Sequence, residues 1–333
     1  MNLKERINLA DRLGKYMLSD EPGWQQAKEK SGRENSWFIP EFVNRASNVI
    51  ATSFLQKDIL EKWASDYQLP AGNPDPKTIG VVMAGNLPLV GFHDWLCIFI
   101  AGHKALIKPS ARDTVLIRHL LDVMTSWDAS IADRIAFAER LKGCDGYIAT
   151  GSNNTAGYFE YYFGKYPHII RRNKTSVAVL TGDETTQDLE KLADDVFLYF
   201  GLGCRNVTKL YVPEGYDFIP MLSVFKKYNW LADHHKYKNN YDYNLALHIL
   251  NKKFYMSTEG LLIVEEDSLF SPISQLNYSS YNNHAALIQS LTQRPELQCI
   301  VGQGFTPFGQ AQNPEIGEYA DKVDTLAFLQ TVR

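Results

Sequence analysis

The spacing of apolar residues changes character twice along the chain. Through about residue 72 they recur at helical spacing, as Leu3, Ile7, Ala10 and Leu13 do in MNLKERINLADRLGKYM. This predicts amphipathic helices joined by polar connections. The breaker-rich stretch LPAGNPDPK then marks a boundary. Beyond it, short β-branched runs alternate with longer helical ones. TIGVVMAG reads as a buried strand, PLVGFHDWLCIFIAG, opened by Asn86 and Pro88, as a helix, and KALIKPS as the next strand. Two parallel strands require such a crossover. DTVLIRHLLDVMTSW follows as a helix with Asp113 as its cap, and GYIATGS, NTAGYFEYYFG, HIIRR and SVAVLTG continue the alternation. The expected fold class is α/β, an open parallel sheet covered on both faces.

The second change comes near Asp183, where DETTQDLEKLADDVFLYF forms a long helical run with its acidic residues early. It leads into FLYFGLGCRNVTKLYVP, whose TKLYV segment reads as a strand. The Tyr- and Asn-rich stretch 228 to 245 is expected to be a surface loop with His234 and His235 facing solvent. GLLIVEED and CIVGQG are later strand candidates. Two domains are expected: residues 1–184, the helical segment with the α/β unit, and residues 185–333, which carry Cys204.

Composition narrows the partners. The chain has 333 residues, enough for about two domains. With 34 basic and 38 acidic residues there is no electrostatic case for nucleic acid or an anionic membrane surface, which leaves a small-molecule partner. No apolar run approaches the roughly 20 residues of a membrane span, and the N-terminus lacks the apolar core of a signal peptide. Cys97, Cys144, Cys204 and Cys299 are widely spaced, without a C-x-x-C or a His pair at ligand spacing. A soluble, cytoplasmic protein without structural metal is expected.

The candidate chemistry starts from absences. Neither G-x-G-x-x-G after the first strand of the α/β unit nor the phosphate loop ending in G-K-[ST] is present. In ATGSNNTAG, Gly151 and Ser152 stand at a strand end and helix start, which either holds a pyrophosphate or is an ordinary capped helix. In IKPS, Lys108 and Ser110 stand at the end of a strand, where ligands gather in open α/β sheets; a solvated lysine is the plain alternative. Asn86, in AGNLP, either caps a helix or donates to a developing oxyanion. Among the cysteines, Cys97 and Cys299 read as inert core residues, and Asp145 beside Cys144 raises its thiol pKa. Cys204 differs, with Gly201 and Gly203 allowing close approach of the backbone and Arg205 favouring a thiolate. Taken alone it still reads as a buried structural thiol, and no Cys-His dyad can be assigned.

Taken in order, GNLP, AGHKALIKPS, ATGS, the G-L-G-C segment and TPFGQ resemble the aldehyde dehydrogenase superfamily over about residues 78 to 325. Within it the chain looks most like the LuxC-type acyl-CoA reductases, the fatty-acid reductase component of bacterial bioluminescence operons. The resemblance implies an aldehyde-dehydrogenase-like fold, Cys204 as nucleophile, and Asn86 with the Cys204 backbone amide as oxyanion donors. It places Lys108 and Ser110 on the adenosine ribose and Gly151 with Ser152 under the pyrophosphate. Aldehyde-oxidising members carry a glutamate that activates water before a Gly-Gly pair; here the corresponding stretch is IIRRNKTSVAVL, without a carboxylate. A second family glutamate, on the nicotinamide ribose, falls near Ser268, with Glu265 or Glu266 as substitutes after a register shift. After KPS, the acidic residue of many NAD-specific relatives is replaced by Ala111 and Arg112, which favours a 2′-phosphate and hence NADPH. The implied reaction is NADPH-dependent reduction of an acyl-CoA or acyl-protein thioester, fatty in character, to aldehyde through an acyl-cysteine. The partners implied are that thioester, an acyl-protein synthetase and further copies of the chain in a homo-oligomer. The alternatives are an aldehyde oxidiser using another base and a non-redox protein that carries acyl groups.

Overall fold

Amphipathic spacing at the N-terminus becomes helix in the computed structural model, which describes residues 1–332. Helix α1 (Leu3–Met17) starts at a capping box in which Asn2 and Glu5 satisfy each other's backbone amides, and its Ile7, Ala10, Leu13 and Met17 are buried. It is followed by α2 (Pro22–Glu34), α3 (Pro40–Ser53) and α4 (Lys57–Asp66). The chain then alternates as β1 (Thr78–Val82), α5 (Phe92–Ala101), β2 (Lys104–Lys108), α6 (Val115–Trp127), β3 (Ile135–Phe137), β4 (Gly146–Thr150), α7 (Asn153–Phe163) and β5 (His168–Arg171). These strands form one all-parallel sheet in the order β3-β2-β1-β4-β5. Helix α5, apolar almost all round, is buried along nearly its whole length.

The remaining elements are β6 (Thr175–Val179), α8 (Thr186–Phe197), β7 (Val207–Pro213), α9 (Ile219–Phe225), α10 (His235–Leu250), β8 (Met256–Ser257), β9 (Leu262–Glu265), β10 (Gln275–Tyr281), α11 (His284–Thr292), β11 (Leu297–Val301) and α12 (Thr325–Thr331). Their sheet has the order β11-β6-β7-β10-β9-β8, parallel except for the β8 and β9 pair. The chain divides into two units. One comprises Met1–Asn173 with the C-terminal segment from Pro314, and the other Lys174–Asn313. In the first, α1 to α4 share one apolar core with β1, β2, α5, α6 and α12, so the proline-rich stretch 69–77 is a connection within a unit.

Several expectations change. The division falls between 173 and 174, ahead of residue 184, because the SVAVLTG strand, β6, pairs with β7 and β11 in the second sheet. The stretch 228–245 is a short 3-10 helix, Lys226–Asp233, followed by α10. Tyr237, Tyr241 and Asn244 turn inward from α10, so its polar composition hid an inward face of tyrosines and an asparagine. His234 accepts from the Tyr237 amide as the cap of α10, while His235 faces solvent. Asp113 does not cap α6; Thr114 holds that position, and the Asp113 carboxylate reaches another loop.

Candidate active site

Five of the loop residues singled out by sequence, together with Asn86, gather in the first unit. In its sheet β1 and β4 are neighbours, with β2 on one side and β5 on the other, so the direction of winding reverses between β1 and β4. Open α/β sheets bind ligands at the carboxyl ends of strands beside such a reversal. Asn86 follows β1, Lys108 ends β2, Ser110 and Arg112 follow it, and Gly151 and Ser152 follow β4.

The first two loops are locked together. A Cβ on Gly85 would collide with the Ser110 hydroxyl, so only glycine lets these turns meet. Ser110 Oγ accepts from the Arg112 amide at 3.2 Å, and its carbonyl accepts from the Asp113 amide and from Thr114 Oγ1. Asp113 Oδ2 accepts from the Leu89 amide at 2.6 Å, which fixes the turn carrying Asn86, where Leu89 has φ of 58°. Burial pushes the Asp113 carboxyl up to about 7 against the opposing pull of that hydrogen bond. Asn86 does not cap α5, whose cap position is Gly91, and it is half-buried. Lys108 and Arg112 are exposed cations at the rim.

Ser152 is the N-cap of α7, its hydroxyl accepting from the Thr155 amide, and the first turn of the helix is exposed. This is the ordinary capped helix, and it also leaves a positive helix end at the carboxyl edge of β4. Exposed cations on one side and a helix N-terminus on the other suit an anionic ligand.

Cys204 belongs to the second unit, in the loop between α8 and β7. The loop begins with Tyr199 and Phe200 in left-handed conformation, with φ of 56° and 58°, before Gly201 at 72°. Bulky residues pay roughly 1–2 kcal/mol each for this. Burial holds them: both are buried, and the Phe200 ring packs 4.7 Å from His234 and 5.7 Å from Tyr237. Cys204 itself is half-buried, as is Arg205, whose guanidinium donates to the Ala311 carbonyl at 3.4 Å.

The other cysteines separate from it. Cys97 is fully buried and its thiol is pushed up by that burial. Cys144 is buried and also raised, by burial first and with Asp145 adding to it. Cys299, expected to be an inert core residue, is half-buried, and its thiol lies 3.0 Å from Ser176 Oγ. No disulfide and no metal-holding group of His, Cys, Asp or Glu occurs among the described residues.

The stretch 169–180, which includes β6 and all of β5 but His168, contains no Asp or Glu. Arg171 within it is buried and pairs with Asp94 at 2.5 Å and Thr325 at 2.8 Å, and Arg172 pairs with Glu160. Near the expected ribose contact, Ser268 Oγ donates to the Phe270 carbonyl, Glu266 pairs with Lys253 at 2.6 Å, and Glu265 is exposed at the end of β9. Lys209, fully buried with its pKa lowered by desolvation, donates to the Glu266 carbonyl and to Ser279 Oγ and so holds this turn. Sequence gave no sign of Lys209, which sits in a strand of alternating pattern as if it faced solvent.

No family model matches the chain, and no curated protein matches it. Solved structures do. An indole-3-acetaldehyde dehydrogenase of P. syringae, solved with NAD+ and IAA, superposes with a TM-score of 0.66 over 89% of this chain and 70% of its own, at 12% identity. A succinic semialdehyde dehydrogenase from Streptococcus pyogenes, in complex with NADP+, gives 0.64 over 90% and 76%, at 12% identity. Aldehyde dehydrogenase 21 from Physcomitrella patens, in complex with succinate, gives 0.65 over 91% and 74%, at 11% identity. The chain has the aldehyde dehydrogenase fold.

Proposed function

We propose that the protein is an NADPH-dependent reductase that converts an acyl thioester to an aldehyde through an acyl group held on Cys204. The observation that carries this reading is the absence of any carboxylate from 169–180, where the resemblance puts the water-activating glutamate. Without a poised base, an acyl-cysteine persists long enough to be reduced.

Cys204 Sγ attacks the thioester carbonyl, the bond from that carbon to the carrier sulfur breaks, and the carrier thiol leaves with a proton. Asn86 and the Cys204 amide donate to the oxygen while it carries negative charge. NADPH, when bound by Lys108, Ser110, Arg112 and the α7 N-terminus, supplies the hydride. Cys204 then departs from the reduced carbon as a thiolate and releases aldehyde. The fold and the NAD+ and NADP+ complexes of its structural neighbours support a nicotinamide cofactor; Arg112 in place of an acidic residue supports the phosphorylated form.

Intact-mass measurement tests both halves. Incubation with a fatty acyl-CoA should add the mass of one acyl group, NADPH should remove it, and Cys204→Ser should never acquire it. An adduct that NADPH leaves in place would mean an acyl carrier; turnover of free aldehyde with oxidised cofactor and no carrier thiol would mean an oxidiser.

A further inference from the structure

The peptide units on both sides of Cys204 are held by two buried residues outside the motif. Asn206 is fully buried. Its Oδ1 accepts from the Gly203 amide at 2.8 Å, and its own amide donates to the Gly203 carbonyl at 3.1 Å. The two hydrogens of its Nδ2 are shared among the carbonyls of Asp195, Val196 and Leu198, at 3.1, 3.3 and 2.8 Å, which ties the loop to the end of α8. On the far side, Ser176 Oγ donates to the Cys204 carbonyl at 3.0 Å. That hydroxyl has only one proton to give, so it accepts from the Cys299 amide at 3.2 Å and from the Cys299 thiol. The Ser176 amide in turn donates to the Asn206 carbonyl at 3.1 Å.

A peptide unit is planar and trans, so its N–H points opposite to its C=O. The Gly203 carbonyl is anchored by the Asn206 backbone amide, in a turn that the Asn206 side chain holds to the Gly203 amide and to the end of α8. This aims the Cys204 N–H the other way, while anchoring the Cys204 carbonyl on Ser176 stops the next peptide from swinging. We infer that Asn206 and Ser176 are positioning residues that aim the backbone amide of Cys204 at the oxygen of a carbonyl under attack. This rests on the reading of Cys204 as an acyl-accepting nucleophile, and it adds which side chains set the geometry of the oxyanion donor.

Two reagents separate aim from thiol reactivity. Acetylation of Cys204 by p-nitrophenyl acetate passes through an oxyanion and expels p-nitrophenolate. Alkylation by iodoacetamide is a direct displacement of iodide that forms none. Both rates are read as mass gain on the Cys204 peptide at a temperature where each variant is folded. In Ser176→Ala, which deletes only the hydroxyl, the acetylation rate should fall about 10- to 100-fold, with alkylation within about threefold of the native rate. Asn206→Asp, which keeps the acceptor for Gly203 but loses the Nδ2 donors, should show the same split. A purely structural role would lower both rates together or neither, and an unchanged ratio in Ser176→Ala overturns the inference even if Asn206→Asp does not fold. Neither reagent needs a thioester carrier or NADPH, so the ratio stays decisive if the reductase reading fails.

Discussion

Asp113→Asn should make the stability of the first unit less dependent on pH. Asp113 is buried, one oxygen held by the Leu89 amide at 2.6 Å and the other, Oδ1, without a hydrogen-bond partner among the described residues. Burial raises its pKa from an ordinary 3.8 to about 7. Between these values the folded state holds a proton that the unfolded chain has released, so stability falls as pH rises through that window. Below about pH 4 the group contributes nothing, and above about pH 8 the cost is constant. At about 1.4 kcal/mol per pH unit the full cost is on the order of 4 kcal/mol, of which about 2 to 3 kcal/mol accrues between pH 5 and 8. An asparagine carries no charge and keeps an acceptor for Leu89, but its amide hydrogens meet no acceptor, a penalty of about 1–3 kcal/mol that does not vary with pH. The variant should therefore gain about 2 to 3 kcal/mol on the native chain between pH 5 and pH 8. Urea unfolding followed by tryptophan fluorescence reads this, since Trp24, Trp37, Trp63, Trp95 and Trp127 lie in the first unit and only Trp230 in the second. A difference between native and variant that shifts by less than about 1 kcal/mol across this range, or shifts the other way, refutes the argument.

Other outcomes follow from single contacts. Arg171→Met strands Asp94 as a buried charge and should cost about 3–5 kcal/mol in the same unfolding assay, with Asp94→Asn added to it recovering part of the loss. Arg112→Glu, whose exposed side chain makes none of the backbone bonds that hold its loop, should raise the KM for NADPH at least about 10-fold relative to that for NADH; an unchanged ratio would remove Arg112 from the cofactor site.

The architecture was legible because its signals are local. Apolar spacing found α1, α5 and α6, and the short β-branched runs found β1, β2, β4 and β6. What spacing could not find was pairing. SVAVLTG reads as one more strand of the first sheet, and only its partners, β7 and β11, assign it to the second. β10, QLNYSSY, was missed because its inward positions include Asn277, whose amide donates to the Ser268 and Phe270 carbonyls at 3.0 and 3.2 Å. A buried polar side chain that is fully bonded across a turn leaves no hydrophobic pattern to read.

The same physics divides the candidate site. The residues proposed for ligand contact, Asn86, Lys108, Arg112 and Ser152 in the first unit and Cys204 in the second, lie in short motifs because backbone turns at strand and helix ends present them, and such turns leave a local signature in glycine and proline. The residues that hold those turns in place are Asp113, Ser176, Asp195 and Asn206, all buried. Asp195 shows why they are silent in sequence. It lies in the acidic run LADD of α8, like a solvated helix residue, yet its two oxygens accept from the Gly309 and Ala311 amides at 2.6 and 3.0 Å. Its carbonyl meanwhile receives the Asn206 amide at 3.1 Å. One buried carboxylate and one buried carboxamide thus join the 306–311 loop to the cysteine loop, across 114 to 116 residues of chain for the first link and 11 for the second. A carboxylate in that position is costly unless its acceptor sites are filled. Two backbone amides fill them, and those amides stay aligned only while the 306–311 loop keeps its turn. The cost of burying the charge therefore acts as a restraint on both loops, a coupling that apolar residues of the same volume would not provide.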